Sequence, residues 1–142
     1  MMRFTCPQAG VLLLTLTLIA VGCQSETKRE AKPPLVGWRP IGAWSGRGNT
    51  QTDSFNVESG QLRIKWETKN EASSGAGAFK VMVHSAVSGR PIALAVEHRG
   101  AGRDTAYVTD EPRLYHLVIE SSDVDWTVVV EEAVTAAVQN PP

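Results

Sequence analysis

The sequence predicts an all-β protein, a single antiparallel β-sandwich of about eight strands lying within residues 38–134. Three observations predict it. Apolar residues alternate with polar ones at a period of two, the spacing of side chains on one face of a strand. Turn residues interrupt these runs about every 8–12 positions. No stretch of the domain sustains a helical period over about ten residues. The same spacing also permits a barrel. A domain of this size can bury a core without disulfide or metal staples.

The elements follow in order. Residues 41–47 and 50–57 make weak strands, the second containing Phe55 and Val57. Residues 61–67, QLRIKWE, alternate throughout and turn Leu62, Ile64 and Trp66 inward. Residues 78–84 repeat the pattern with Phe79, Val81 and Val83. Pro91 opens the strand 91–97, a position where proline costs no ladder bond. Residues 105–109 are weak, whereas 114–119 and 125–131 are strong. Glu131 to Val134 lacks helix caps, so it continues a strand or frays. Between these runs lie Glu58-Ser59-Gly60, Val87-Ser88-Gly89-Arg90, Arg99-Gly100-Ala101-Gly102 and Asp110-Glu111-Pro112, all turn chemistry. Residues 70–77, NEASSGAG, form a longer loop. Trp66, Trp126, Phe79 and Tyr115 carry much of the expected core, because each large ring buries considerable area.

Ahead of the domain, Arg3 precedes an uncharged apolar run over 9–22 that is shorter than the roughly 20 residues of a membrane-spanning helix. A basic start, a short apolar centre and small residues at its end are the parts of an export signal. The run closes on Ala20-Val21-Gly22-Cys23, which resembles the lipobox of bacterial lipoproteins, with Ala20 where those signals usually carry Leu. The resemblance implies a signal peptide over 1–22, lipid on Cys23 and attachment to the membrane through that lipid. Both cysteines, Cys6 and Cys23, lie at or before the cut, so the exported domain holds no other thiol. Residues 24–37, polar with Pro33-Pro34, read as a flexible tether reaching about 20 Å. Residues 135–142 read as a disordered tail. Loss of Arg3 with the signal leaves 13 basic against 15 acidic side chains, a formal charge of −2, which gives no basis for nucleic acid binding. By the same resemblance, Gln24 in place of Asp points to the outer membrane of a two-membrane bacterium, facing outside the cytoplasm.

The domain itself is similar in pattern to small β-sandwich domains of bacterial secreted proteins and lipoproteins, related to jelly-roll and CUB-like folds. The likeness rests on Phe55-Asn56-Val57, Gly60 to Trp66, Phe79 to Val83, Tyr115 to Ile119 and Trp126 to Val130. It implies a binding or accessory module, although a fold alone does not assign a function.

No catalytic constellation accompanies the pattern. The serines lie in no G-x-S-x-G or S-x-x-K arrangement. His84, His98 and His116 have neither strand nor helix spacing for a metal pair, and are read as unrelated surface histidines rather than as ligands joined by Glu67 or Asp104. Asp123-Val124-Asp125 is read as a turn before a strand rather than a cation site. Gly46-Arg47-Gly48 and Arg99-Gly100-Ala101-Gly102-Arg103 are read as hairpin turns, with Arg99 and Arg103 as possible anion or ligand contacts. Trp38 and Trp44 either stack on a sugar or seal the sandwich. The expectation is therefore a lipid-anchored, non-enzymatic envelope module needing no cofactor, its partner an envelope protein or a carbohydrate. A structural envelope protein is the alternative, and a hydrolase built on His98 and His116 is a distant third.

Overall fold

A computed structural model describes residues 36–135. The expected signal peptide over 1–22, Cys23, residues 24–35 of the tether and residues 136–142 of the tail lie outside the described residues. The strands are β1 (Val36–Arg47), β2 (Thr50–Gln51), β3 (Phe55–Val57), β4 (Gln61–Lys69), β5 (Ala78–Ser85), β6 (Pro91–Arg99), β7 (Gly102–Thr109), β8 (Arg113–Ser122) and β9 (Asp125–Thr135). Helix is absent among the described residues.

The strands form two antiparallel sheets. One has the order β1-β9-β4-β7; the other has the order β2-β8-β5-β6, with β3 also on β8. Strands therefore pair from the outside of the sequence inward: β1 with β9, β2 and β3 with β8, β4 with β7, and β5 with β6. This nesting is one long antiparallel ribbon folded over on itself, the topology of a jelly roll. Because β2 and β3 occupy one position beside β8, the sandwich has the eight strand positions expected.

Thr52 explains the gap between β2 and β3. Its amide donates to the Leu117 carbonyl at 3.0 Å, while its hydroxyl accepts from the Leu117 amide at 2.9 Å. A side-chain oxygen thus stands in for a backbone carbonyl, and the ladder continues without regular strand geometry.

The inner faces follow the period of two. Leu62, Ile64, Trp66, Val108, Trp126, Val128 and Val130 from the first sheet meet Phe55, Val57, Phe79, Val81, Val83, Val96, Tyr115, Leu117 and Ile119 from the second. Trp66 and Trp126 both lie against Phe79, with ring centroids 5.7 and 6.4 Å away. The four aromatic residues singled out from the sequence are all in this core.

Two turns show why their residues are required. Gly60 has φ +69, and a Cβ there would stand 2.3 Å from the Asp110 carbonyl oxygen, so only glycine fits. One turn further, the Tyr115 hydroxyl lies 2.5 Å from the Glu111 carbonyl and 2.9 Å from Asp110 Oδ2, its single proton shared between them. Burial first, then this contact with Asp110, pushes the phenol up to about 12. The bond fastens the β7–β8 connection to the core ring.

The boundaries differ from expectation at both ends. Val36 and Gly37, assigned to the tether, pair with Thr135 and Val134 as the start of β1 and the end of β9. Trp38 likewise lies within a strand, opposite Ala133. Pairing with β9 makes this strand; its own sequence, broken by Gly37, Pro40 and Gly42, carries no clear alternation.

Candidate functional site

The outer face of the β1-β9-β4-β7 sheet gathers polar and aromatic side chains in rows set by register. Pro40, Glu131, Arg63 and Tyr107 form one row across the four strands, with Trp38 and Ala133 in the row beside it. In the other direction come Val129, Lys65 and Thr105, then Thr127, Glu67 and Arg103. The Arg63 guanidinium lies over the Trp38 indole, 4.5 Å from the ring centroid, and its Nε donates to Glu131 Oε2. That bond raises the Arg63 guanidinium above its ordinary value. Lys65 Nζ stands 3.9 Å from the same carboxylate. Tyr107 meets Trp38 edge-on at 5.8 Å and remains 66% exposed, the most exposed aromatic of the described residues.

This geometry divides the two tryptophans considered for stacking. Six residues apart on an unbroken strand, Trp38 and Trp44 would share a face. The register shift between Pro40 and Gly42 reverses the alternation, as a β-bulge does. Trp44 consequently points into the sandwich, 5.6 Å from Phe55, and seals its edge. Trp38 points outward, yet Arg63 covers its indole. Tyr107, which the sequence reading passed over, is the ring left open on this face.

The two arginines of the 99–103 turn separate onto different sheets. Arg99 pairs with Ala78 at the end of β6, beside a recess of about 350 Å³ also lined by Asn49, Lys80, Glu97 and Glu120. Arg103 pairs with Glu67 on the Tyr107 face, at a shallow recess of about 370 Å³ with Lys65, Asp104 and Thr127. Gly100, with φ +81, turns the chain from one sheet to the other. The two arginines therefore border separate recesses, and the segment between them is a turn, as read from its glycines.

The histidines fall into two environments. His98 faces the core, its ring 4.7 Å from Trp66, and its buried Nε2 has no hydrogen-bond partner. His84 and His116 are directly opposite one another on β5 and β8, with ring centroids 5.3 Å apart. They alternate with inward residues, as expected, but are not unrelated. His116 is also buried rather than a surface residue. Its burial, and secondarily the proximity of His84, lower the pKa of its imidazole. His98 and His116 occupy opposite faces of one sheet, so no common site joins them. Among the described residues, no group of three or more His, Cys, Asp or Glu side chains converges to hold a metal.

The Asp123–Asp125 pair resolves into turn and strand. Asp123 has φ +57 in the β8–β9 turn. Asp125 opens β9, its Oδ2 accepting from Asn70 at 2.7 Å and its Oδ1 from Arg47 at 2.8 Å. These bonds hold its carboxyl below the usual aspartate value.

A carboxylate also enters the core. Glu132 follows the inward alternation of Trp126, Val128 and Val130, and is 1% exposed. It accepts from Arg39 Nη2 through Oε1 and from the Glu58 amide through Oε2, the latter at 2.9 Å.

No protein-family model, curated protein or solved structure matches this chain.

Proposed function

We propose that this chain is a lipid-anchored, non-enzymatic binding module of the bacterial cell envelope, and that its contact surface is the Tyr107 face of the β1-β9-β4-β7 sheet. The observation that carries the reading is the open Tyr107 ring, fixed by Trp38 and bordered by the Arg63–Glu131–Lys65 charges. A sugar ring has an apolar face and a rim of hydroxyls. Such a ligand matches an exposed aromatic with immobilised donors and acceptors beside it. Carbohydrate is therefore the ligand class favoured, and a broad sheet face suits an extended chain better than a small molecule. The anchor rests on the lipobox-like residues 20–23.

Glycan-array binding by the wild-type protein is expected to fall by about 2 kcal/mol, about thirtyfold in Kd, in Tyr107→Ala, since interface aromatics carry most binding energy. The exposed position should leave thermal stability within about 0.5 kcal/mol. Undiminished glycan binding by the variant would exclude this face. For the anchor, Cys23→Ser is expected to abolish lipid labelling and leave the precursor uncut; normal labelling and maturation of that variant would refute it.

A protein partner is the second reading, and β7 favours it. This edge strand pairs with β4 in unbroken register and contains no proline, whereas the edges at β1 and β6 carry Pro40 and Pro91 and shifts of register. A partner strand added there is the route by which sheet edges bind peptides. In-cell crosslinking through β7 to one envelope protein, without glycan binding, would decide for it.

A further inference from the structure

We propose that His84 and His116 form a binding site for a late first-row divalent metal ion on the outer face of the β2-β8-β5-β6 sheet. The two residues are cross-strand partners in the β5–β8 ladder, so a continuous backbone sets their separation. With metal–nitrogen bonds of 2.0–2.1 Å, two imidazoles on a tetrahedral ion have ring centroids about 5.2 Å apart. The observed separation is 5.3 Å. The ladder thus already holds the two rings at the separation an ion requires.

The His84 ring is also prepared from behind. Its Nδ1 lies 2.9 Å from the Gly89 carbonyl oxygen, which can only accept, so Nδ1 carries the proton and Nε2 keeps a free lone pair. A ligating histidine characteristically donates its other nitrogen to such a carbonyl, which fixes tautomer and orientation. That carbonyl belongs to a tight turn. The Gly89 amide donates to the Ser85 carbonyl at 2.8 Å and the Ser85 amide to the Arg90 carbonyl at 3.0 Å. Gly89 itself has φ +73, a conformation that glycine adopts without strain. His116 is buried on its strand, directly opposite His84 in the ladder.

With no third side-chain ligand converging among the described residues, water completes the coordination shell and the ion exchanges with solvent. Imidazole nitrogen suits copper, nickel and zinc, and the observed separation is that of the tetrahedral shell zinc takes. Divalent copper, which binds most tightly in the series though it favours a tetragonal shell, serves as the spectroscopic probe. The site lies on the sheet opposite the Tyr107 face, so it stands or falls independently of glycan binding.

The test titrates Cu²⁺ into the detergent-solubilised full-length protein, followed by calorimetry and electron paramagnetic resonance. The wild type is expected to bind one equivalent with hyperfine couplings from two imidazole nitrogens, and to melt at a higher temperature with the ion present, because only the folded ladder brings the rings together. His84→Gln, a partly exposed position that should not disturb the core, is expected to lose one nitrogen coupling and at least about tenfold in affinity. His116→Gln is expected to do the same where it folds. A copper signal without imidazole couplings overturns the proposal. So does a signal unchanged in His84→Gln, or the absence of binding.

Discussion

Replacing Trp126 with alanine is expected to destabilise the domain by about 3–5 kcal/mol, the range for deleting a large core aromatic. Trp126 is 3% exposed and projects from β9 toward the opposite sheet, where Phe79 stacks on it at 28° between ring planes. Its indole Nε1 also donates to the Gly48 carbonyl at 3.0 Å, closing the β1–β2 connection over the core. Gly46 makes room for the ring: a Cβ there would stand 2.9 Å from the indole. Truncation therefore removes inter-sheet packing, opens a cavity and frees a loop carbonyl together. Against a total stability of about 5–15 kcal/mol, this is a large share. Trp126→Phe, which keeps the ring but not the donor, should cost distinctly less. Urea or thermal denaturation showing Trp126→Ala as stable as wild type would remove this ring from its assigned role.

What the sequence discloses depends on whether a feature is local or arises from pairing. In β4 and β9, alternation marks both the strand and its buried face, because each has one face on the core. In β1 the same rule misleads. Val36 to Gly42 holds two glycines and a proline, and the bulge after Pro40 places Trp38 and Trp44 on opposite faces despite their even spacing. Only the partner strand reveals that reversal. Tyr107 was open to inspection, since Ala106 and Val108 flank it on the inward face. A weak run of residues and the greater prominence of the tryptophans hid it. The covering of Trp38 by Arg63 was not legible, because it follows from β1 and β4 both lying beside β9. The histidine pair is similar: register alone joins His84 to His116, and no spacing within either strand encodes it.

Arg39→Ala is expected to cost about 3 kcal/mol, the low end of the range for breaking a buried ion pair by removing one partner. Glu132 occupies a core position of β9, and its side chain is 2% exposed while that of Arg39 is 56% exposed. Loss of the guanidinium leaves the carboxylate with the Glu58 amide as its remaining donor, in a place water reaches poorly. The exposed outer half of Arg39 lets solvent replace part of the lost contact, which keeps the cost below the upper range. Glu58 follows β3 of the opposite sheet, so Glu132 ties the two sheets together at this end of the sandwich. Glu132→Gln retains an acceptor for that amide and sheds the buried charge, and should therefore be milder than Arg39→Ala. The double variant Arg39→Met with Glu132→Leu removes both charges and fills the space with apolar atoms, and is expected to lie within about 1 kcal/mol of wild type. Urea denaturation of the four proteins distinguishes the cases. A cost below about 0.5 kcal/mol for Arg39→Ala would mean that the pair behaves as an exposed salt bridge. A double variant as unstable as the single would mean that Glu132 holds the sandwich end by a specific contact that apolar packing cannot replace.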